Sequence, residues 1–149
     1  MLYRVLWRIT HGERSLLDDE VDPDAHELRF LVRAVKEDVE RMKAFVRFRS
    51  IGPQGAEHFV AWHRPDHDVA ELAAAHFATR YPNMQWSIFT PFASVHWDGR
   101  SITVDRGVPA SAIPTEDSNR AAEALWRTYY AAAFNPARVN EAKLGRDMP

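Results

Sequence analysis

Apolar residues recur along the chain with two different periods. Leu2, Val5, Leu6 and Ile9 sit at helical spacing, which predicts a short first helix over about 2–10. Leu28, Leu31, Val32, Val35, Val39 and Met42 form a second, longer stripe. It follows the acidic turn "DDEVDPDAHEL", where Asp22 or Asp24 can cap a helix that has Pro23 in its first turn and runs to about Ala44. The period then shortens. "FVRFRSI" and "EHFVAWH" are β-rich runs joined by "GPQG", which is hairpin chemistry. Asp68 with Glu71 makes a capping-box-like start to a helix near 69–80, whose inner face takes Val69, Leu72, Ala73, His76, Phe77 and Arg80. "MQWSIFT" and "SVHWDGRSITV" are further strands, the latter turning at Asp98-Gly99. A loop with Pro109 and Pro114 leads to a last helix, about 117–134, carrying Leu125, Trp126 and Tyr129. This order predicts one α+β domain over 1–149, an antiparallel sheet of about four to five strands packed against helices. Residues 135–149 are expected to be an extended or helical tail. Both ends read as if the polypeptide continues beyond them.

Composition narrows the classes. The 149 residues, 46% of them apolar, suffice for one core. With a net charge of −2, no global field draws the chain to a polyanion, so any such binding needs a local patch. Cysteine is absent, which excludes disulfides, thiolate metal sites and a cysteine nucleophile. There is no signal-peptide pattern and no apolar run long enough for a bilayer, so the expectation is a soluble cytoplasmic protein that makes no membrane contact.

A local patch exists. "RMKAFVRFR", residues 41–49, holds Arg41, Lys43, Arg47 and Arg49 around Phe45 and Phe48. Read as a strand, it turns Phe45, Arg47 and Arg49 to one face, with Arg41 and Lys43 approaching from the preceding helix. Arg and Lys there can contact phosphate oxygens, and Phe45 can stack on a base. The same pattern also describes an ordinary sheet edge with solvated charges. The histidines offer a second chemistry: His67 before a helix N-terminus, His76 on that helix and His96 in "SVHWDGR" are acid–base candidates, with Asp66 or Asp98 as partners. The plain alternatives are a core histidine at position 76, capping by Asp66 or Asp68, and a polar hairpin tip at Asp98. His63, His67 and His76 match no standard metal spacing, and no metal or cofactor is implied. After the last helix, Asn135, Arg138 and Lys143 form a turn or linker whose cations could add phosphate contacts. Gly-rich phosphate loops, the Walker lysine and the G-x-S-x-G elbow are missing.

The ordered motifs "RMKAFVRFR", "PDHDVAELAAAHFATRYPNMQWSIFTP", "HWDG" and "LWRTYYAAAFNPAR" resemble an uncharacterised bacterial domain of unknown function. That domain stands ahead of the glycosylase module in UdgX-type uracil-DNA glycosylases and occurs in probable DNA metabolism proteins, often beside a radical SAM protein. The resemblance covers about Tyr3 to Pro149. It implies a setting in DNA repair but no mechanism, and the chain carries none of the glycosylase module's motifs. Two positions depart from the family pattern: Glu40, where a histidine is frequent, and Arg64, where an acidic residue is common.

Three functions follow as expectations. The first is a DNA-binding accessory domain using Arg41, Lys43, Phe45, Arg47, Arg49 and Arg138 on single-stranded or damaged DNA. The second is an enzyme acting on a damaged or modified base through His67, His76 and His96. The third is a module that docks a glycosylase or radical SAM partner through "LWRTYYAAAF".

Overall fold

The computed structural model describes residues 1–130. Helix α1 (Leu2–Thr10) is a helical stub, followed by a 3-10 turn at Leu16–Asp18. It packs on the start of α2 (Pro23–Phe45) through a small core of Val5, Leu16 and Ala25. Asp22 is the cap of α2, and its Oδ1 accepts the amides of Asp24 and Ala25 at 2.9 and 3.1 Å. The same carboxylate takes Arg8 of α1 at 2.6 Å, while Arg8 also reaches Asp24 at 2.9 Å. One acidic turn therefore satisfies free helix amides and clamps α1, two jobs that each favour an anion at a helix N-terminus.

Five strands form one sheet in sequence order: β1 (Arg49–Ile51), β2 (His58–Trp62), β3 (Trp86–Phe89), β4 (Ala93–Trp97) and β5 (Ile102–Arg106). The architecture is the expected α+β domain, and three of the four pairings are antiparallel. The exception is β2 with β3, which run parallel. Parallel neighbours need a crossover, and α3 (Ala70–Arg80) supplies it.

The sheet is covered on both faces, and the crossover helix accounts for one of them. On one side Ala61, Trp86, Ile88 and Val95 meet Met42 of α2 and Ala70, Ala73, Ala74 and Phe77 of α3. On the other, Val60 and Phe89 meet Ile113, Ala122 and Leu125. That second layer is α4 (Asn119–Leu125), which passes into a π-helical turn at Trp126–Tyr130. Trp126, Tyr129 and Tyr130, part of the aromatic run expected as a docking face, pack against this core and are half-buried.

Four local expectations need correction. The "FVRFRSI" run is a strand only from Arg49: α2 continues through Phe45, and Val46 turns extended at φ −65°, ψ 129°. Phe45, Arg47 and Arg49 therefore do not share a strand face. The cap of α3 is Val69, which makes no side-chain cap bond, so Asp68 is not its capping residue. The buried stripe of α3 is Ala70, Ala73, Ala74 and Phe77, rotated by about one residue from the expected face, leaving Leu72 and Arg80 exposed. Alanine wins because its small side chain lets the helix lie close to the sheet. The last helix is regular only to Leu125, and its part beyond 130, like the tail 135–149, lies outside the described residues.

The β4–β5 hairpin turns where expected. Gly99 takes φ +98°, and Asp98 Oδ1 accepts the amides of Arg100 and Ser101 at 2.7 and 2.8 Å. At the other end of the hairpin Gly107 passes so close to the Pro91 carbonyl that a Cβ would sit 2.1 Å from its oxygen. Gly107→Ala should therefore destabilise the domain by about 1–3 kcal/mol or more, because the obstacle is backbone and cannot turn aside. Urea unfolding of the variant checks this, with an unchanged midpoint as the contrary result.

Candidate functional site

The basic motif occupies the end of α2 and its exit towards β1. Phe45 is 65% exposed. Lys36, Arg41 and Phe45 line a shallow groove of about 520 Å³ along the helix. Three of the four motif cations already have carboxylate partners. Arg41 donates to Asp66 at 3.1 Å, Lys43 to Glu40 at 3.1 Å and Arg49 Nε to Asp117 at 2.8 Å. Arg47 is exposed and makes no ion pair among the described residues. Arg138 lies outside the described residues.

One turn back along α2, Asp38 is buried, its side chain 2% exposed. Its Oδ2 accepts the His67 amide at 2.7 Å and stands 3.2 Å from His67 Nδ1, while Arg41 reaches Oδ1 at 3.4 Å. Burial alone would raise the Asp38 pKa; the amides of His67 and Asp66, the His67 ring and Arg41 outweigh it, and the carboxyl is held below its ordinary value. Asp38 thus fastens the loop before α3 to α2 and orients the His67 ring, which stays 39% exposed. An imidazole held at Nδ1 by a carboxylate can serve as an acid or base through Nε2. His67 and Glu40 both line an apolar groove of about 940 Å³ between α2 and α3. The position where Glu40 departs from the resembled pattern is therefore beside this histidine. His63, close by, has its pKa lowered by burial and by Arg41, against opposing pulls from Asp38 and Asp66.

His96 lies on the opposite face of the sheet. Its Nδ1 is 2.7 Å from Ser87 Oγ, and His58 Nε2 is 2.9 Å from the same oxygen. All three residues are buried. Trp126 lies tilted against His58 with ring centroids 3.9 Å apart, and Tyr130 contacts both imidazoles at about 5 Å. Burial lowers both imidazole pKa values to about 4, helped at His58 by His96, so both are neutral near pH 7.

The three candidate histidines do not converge. His67 belongs to the α2–α3 layer, His96 to the α4 layer, and His76 is a half-buried residue of α3 whose ring meets Phe77 edge-on at 5.3 Å. Asp98 serves its turn rather than His96. Among the described residues, no group of three or more His, Asp or Glu side chains is placed to hold a metal ion. Sequence reading did not single out Asp38, His58 or Ser87. The available signal was a polar residue inside each apolar stretch: Asp38 within the stripe of α2, His58 opening "HFVAW" and Ser87 within "WSIF".

The protein is thus an α+β domain with a five-stranded sheet clad by helices on both faces, bearing a basic helix end with an Asp–His pair on one side and a buried His–Ser–His chain on the other. It belongs to the family described as domain of unknown function DUF4130, which matches residues 1–149. No curated protein and no solved structure matches the chain. Among the described residues, no helix is long and apolar enough to cross a membrane.

Two tests follow. His58 and His96 titrate near 4 in the folded chain and near 6.5 when unfolded. Between those values the unfolded chain binds more protons, so stability is complete above pH 6.5 and declines as pH falls towards 4. The lowered carboxylates add losses only below about 3.8. Urea unfolding at pH 7 and pH 5 should show the decline, and a His58→Asn, His96→Asn double variant should flatten it. Asp38→Ala, which removes the acceptor of the part-buried His67 amide, should cost on the order of 1–3 kcal/mol. Thermal or urea unfolding of that variant at neutral pH measures the loss.

Proposed function

We propose that the protein is a DNA-binding accessory domain acting in DNA repair, with the end of α2 and its exit to β1 as the contact surface. The observation that carries this reading is Phe45: an aromatic residue 65% exposed, next to Arg41 in a helix groove and two residues from Arg47, which has no ion pair among the described residues. An exposed ring between guanidinium groups offers stacking for a base and charge for the flanking phosphates. The exposed ion pairs of Arg41 with Asp66, Lys43 with Glu40 and Arg49 with Asp117 do not oppose it. Exposed pairs are each worth only about 0.2–1 kcal/mol, so a phosphate can take over such a cation at small cost. The net charge of −2 supports a local contact over a general polyanion affinity.

The favoured form is single-stranded or unpaired DNA, because Phe45 reaches a base face only where bases are unstacked. The setting proposed, following the resemblance of the ordered motifs, is base-repair metabolism in the cytoplasm beside a uracil-DNA glycosylase module or a radical SAM protein.

Fluorescence anisotropy with single-stranded and duplex oligonucleotides, with and without uracil, at two salt concentrations tests this. Binding should weaken as salt rises, by roughly 0.7 log units per log unit of salt for each single-strand phosphate contacted. A Phe45→Ala, Arg47→Ala variant should lose at least about tenfold in affinity, the worth of one stacked base. Salt-independent binding, or full affinity in that variant, removes this surface from the function.

A further inference from the structure

A cleft of about 820 Å³ opens on the α4 side of the sheet, between the β1–β2 loop, the α3–β3 loop and the π-helical turn. Its lining has an unusual division of chemistry. Trp126 and Tyr130 supply one side, already stacked on each other with centroids 3.6 Å apart and planes inclined by 19°. Asn83 and Gln85 supply two carboxamides, and Glu57 a carboxylate. None of these three side chains makes a hydrogen bond among the described residues, and all three are exposed. Among the described residues no lysine or arginine lines the cleft, and Glu57 places a carboxylate there. His58 lines it too, as one end of the chain His58–Ser87–His96.

Each part suits the same ligand class. A flat apolar face matches the indole and phenol rings, and a polar edge matches carboxamides, which present a donor and an acceptor in one plane. The Glu57 carboxylate in the lining disfavours an anionic ligand. The histidine chain adds adaptability. Ser87 has a single hydroxyl proton, so it donates to one imidazole and accepts from the other. In either arrangement the His58 nitrogen not bound to Ser87 has the opposite role to the bound one, so a neutral His58 offers a single donor or acceptor. A single stacking wall without such edge groups would describe ordinary aromatic packing; here the edge groups are present, and Glu57, Asn83 and Gln85 are unpaired among the described residues.

We propose that this cleft binds an uncharged planar heterocycle, a nucleobase or its nucleoside, stacked against Trp126 and Tyr130 and read along its polar edge by Asn83, Gln85 and His58. The site stands apart from the proposed DNA surface, which lies on the other face of the sheet. It requires neither that surface nor the Asp38–His67 pair.

The test is binding of free bases and nucleosides (adenine, guanine, cytosine, thymine, uracil and the corresponding nucleosides) to the full chain, by saturation-transfer NMR and calorimetry, with ribose as the sugar control. At least one base or nucleoside should bind saturably, with ring protons receiving more transfer than sugar protons and the His58 imidazole resonances shifting on saturation. An Asn83→Ala, Gln85→Ala variant should weaken that binding at least about tenfold. Both residues are exposed, so its thermal midpoint should match the parent. Absence of saturable binding at millimolar ligand overturns the proposal, as does binding equal to that of ribose, or full affinity in the double variant with His58 resonances unmoved.

Discussion

Strand β3 is buried at all four positions, and most of the molecule follows from that constraint. A central strand with both faces dry must send alternate side chains into two separate cores. Trp86 and Ile88 take the α2–α3 side; Phe89 takes the α4 side. Ser87 faces the α4 side with a hydroxyl that has no access to water. A buried hydroxyl without a partner is costly, so the fold brings it two imidazoles, from β2 and β4. The same desolvation then fixes both imidazoles in the neutral state. The polar chain in the second core is a consequence of where β3 sits.

Helix α2 plays a comparable part for the other layer. Its first turn is anchored by Asp22, which caps the helix and holds Arg8 of α1. In its middle, Asp38 points inwards and ties down the loop ahead of α3 through the His67 amide. Its last turn emerges with Arg41, Lys43 and Phe45. One helix thus sets the N-terminal clasp, the orientation of an acid–base candidate and the placement of the basic motif. The spacing between them is rigid because they share one hydrogen-bonded rod.

Histidine divides into two populations by solvation. His67 keeps part of its ring in water and leans on a carboxylate. His58 and His96 are stripped of water and lean on a neutral hydroxyl. Burial holds the second pair neutral near pH 7.

The sequence by itself determined the elements. Periods of 3.6 and 2 located helices and strands, Asp22-Pro23 marked the start of α2, and Asp98-Gly99 marked a hairpin, because each of these is decided by backbone geometry within a few residues. It also exposed the basic run at 41–49. Tertiary structure decided what pairs with what. The parallel β2–β3 pairing, the rotation of α3 onto its alanines and the end of α2 one residue into the expected strand all depend on packing between distant segments. So do the sites: Asp38 lies 29 residues from His67, and His58 the same distance from Ser87. A polar residue inside an apolar stretch announces only that a partner exists. Which residue answers it is set by the sheet register and by the two covered faces, and no local pattern carries that information.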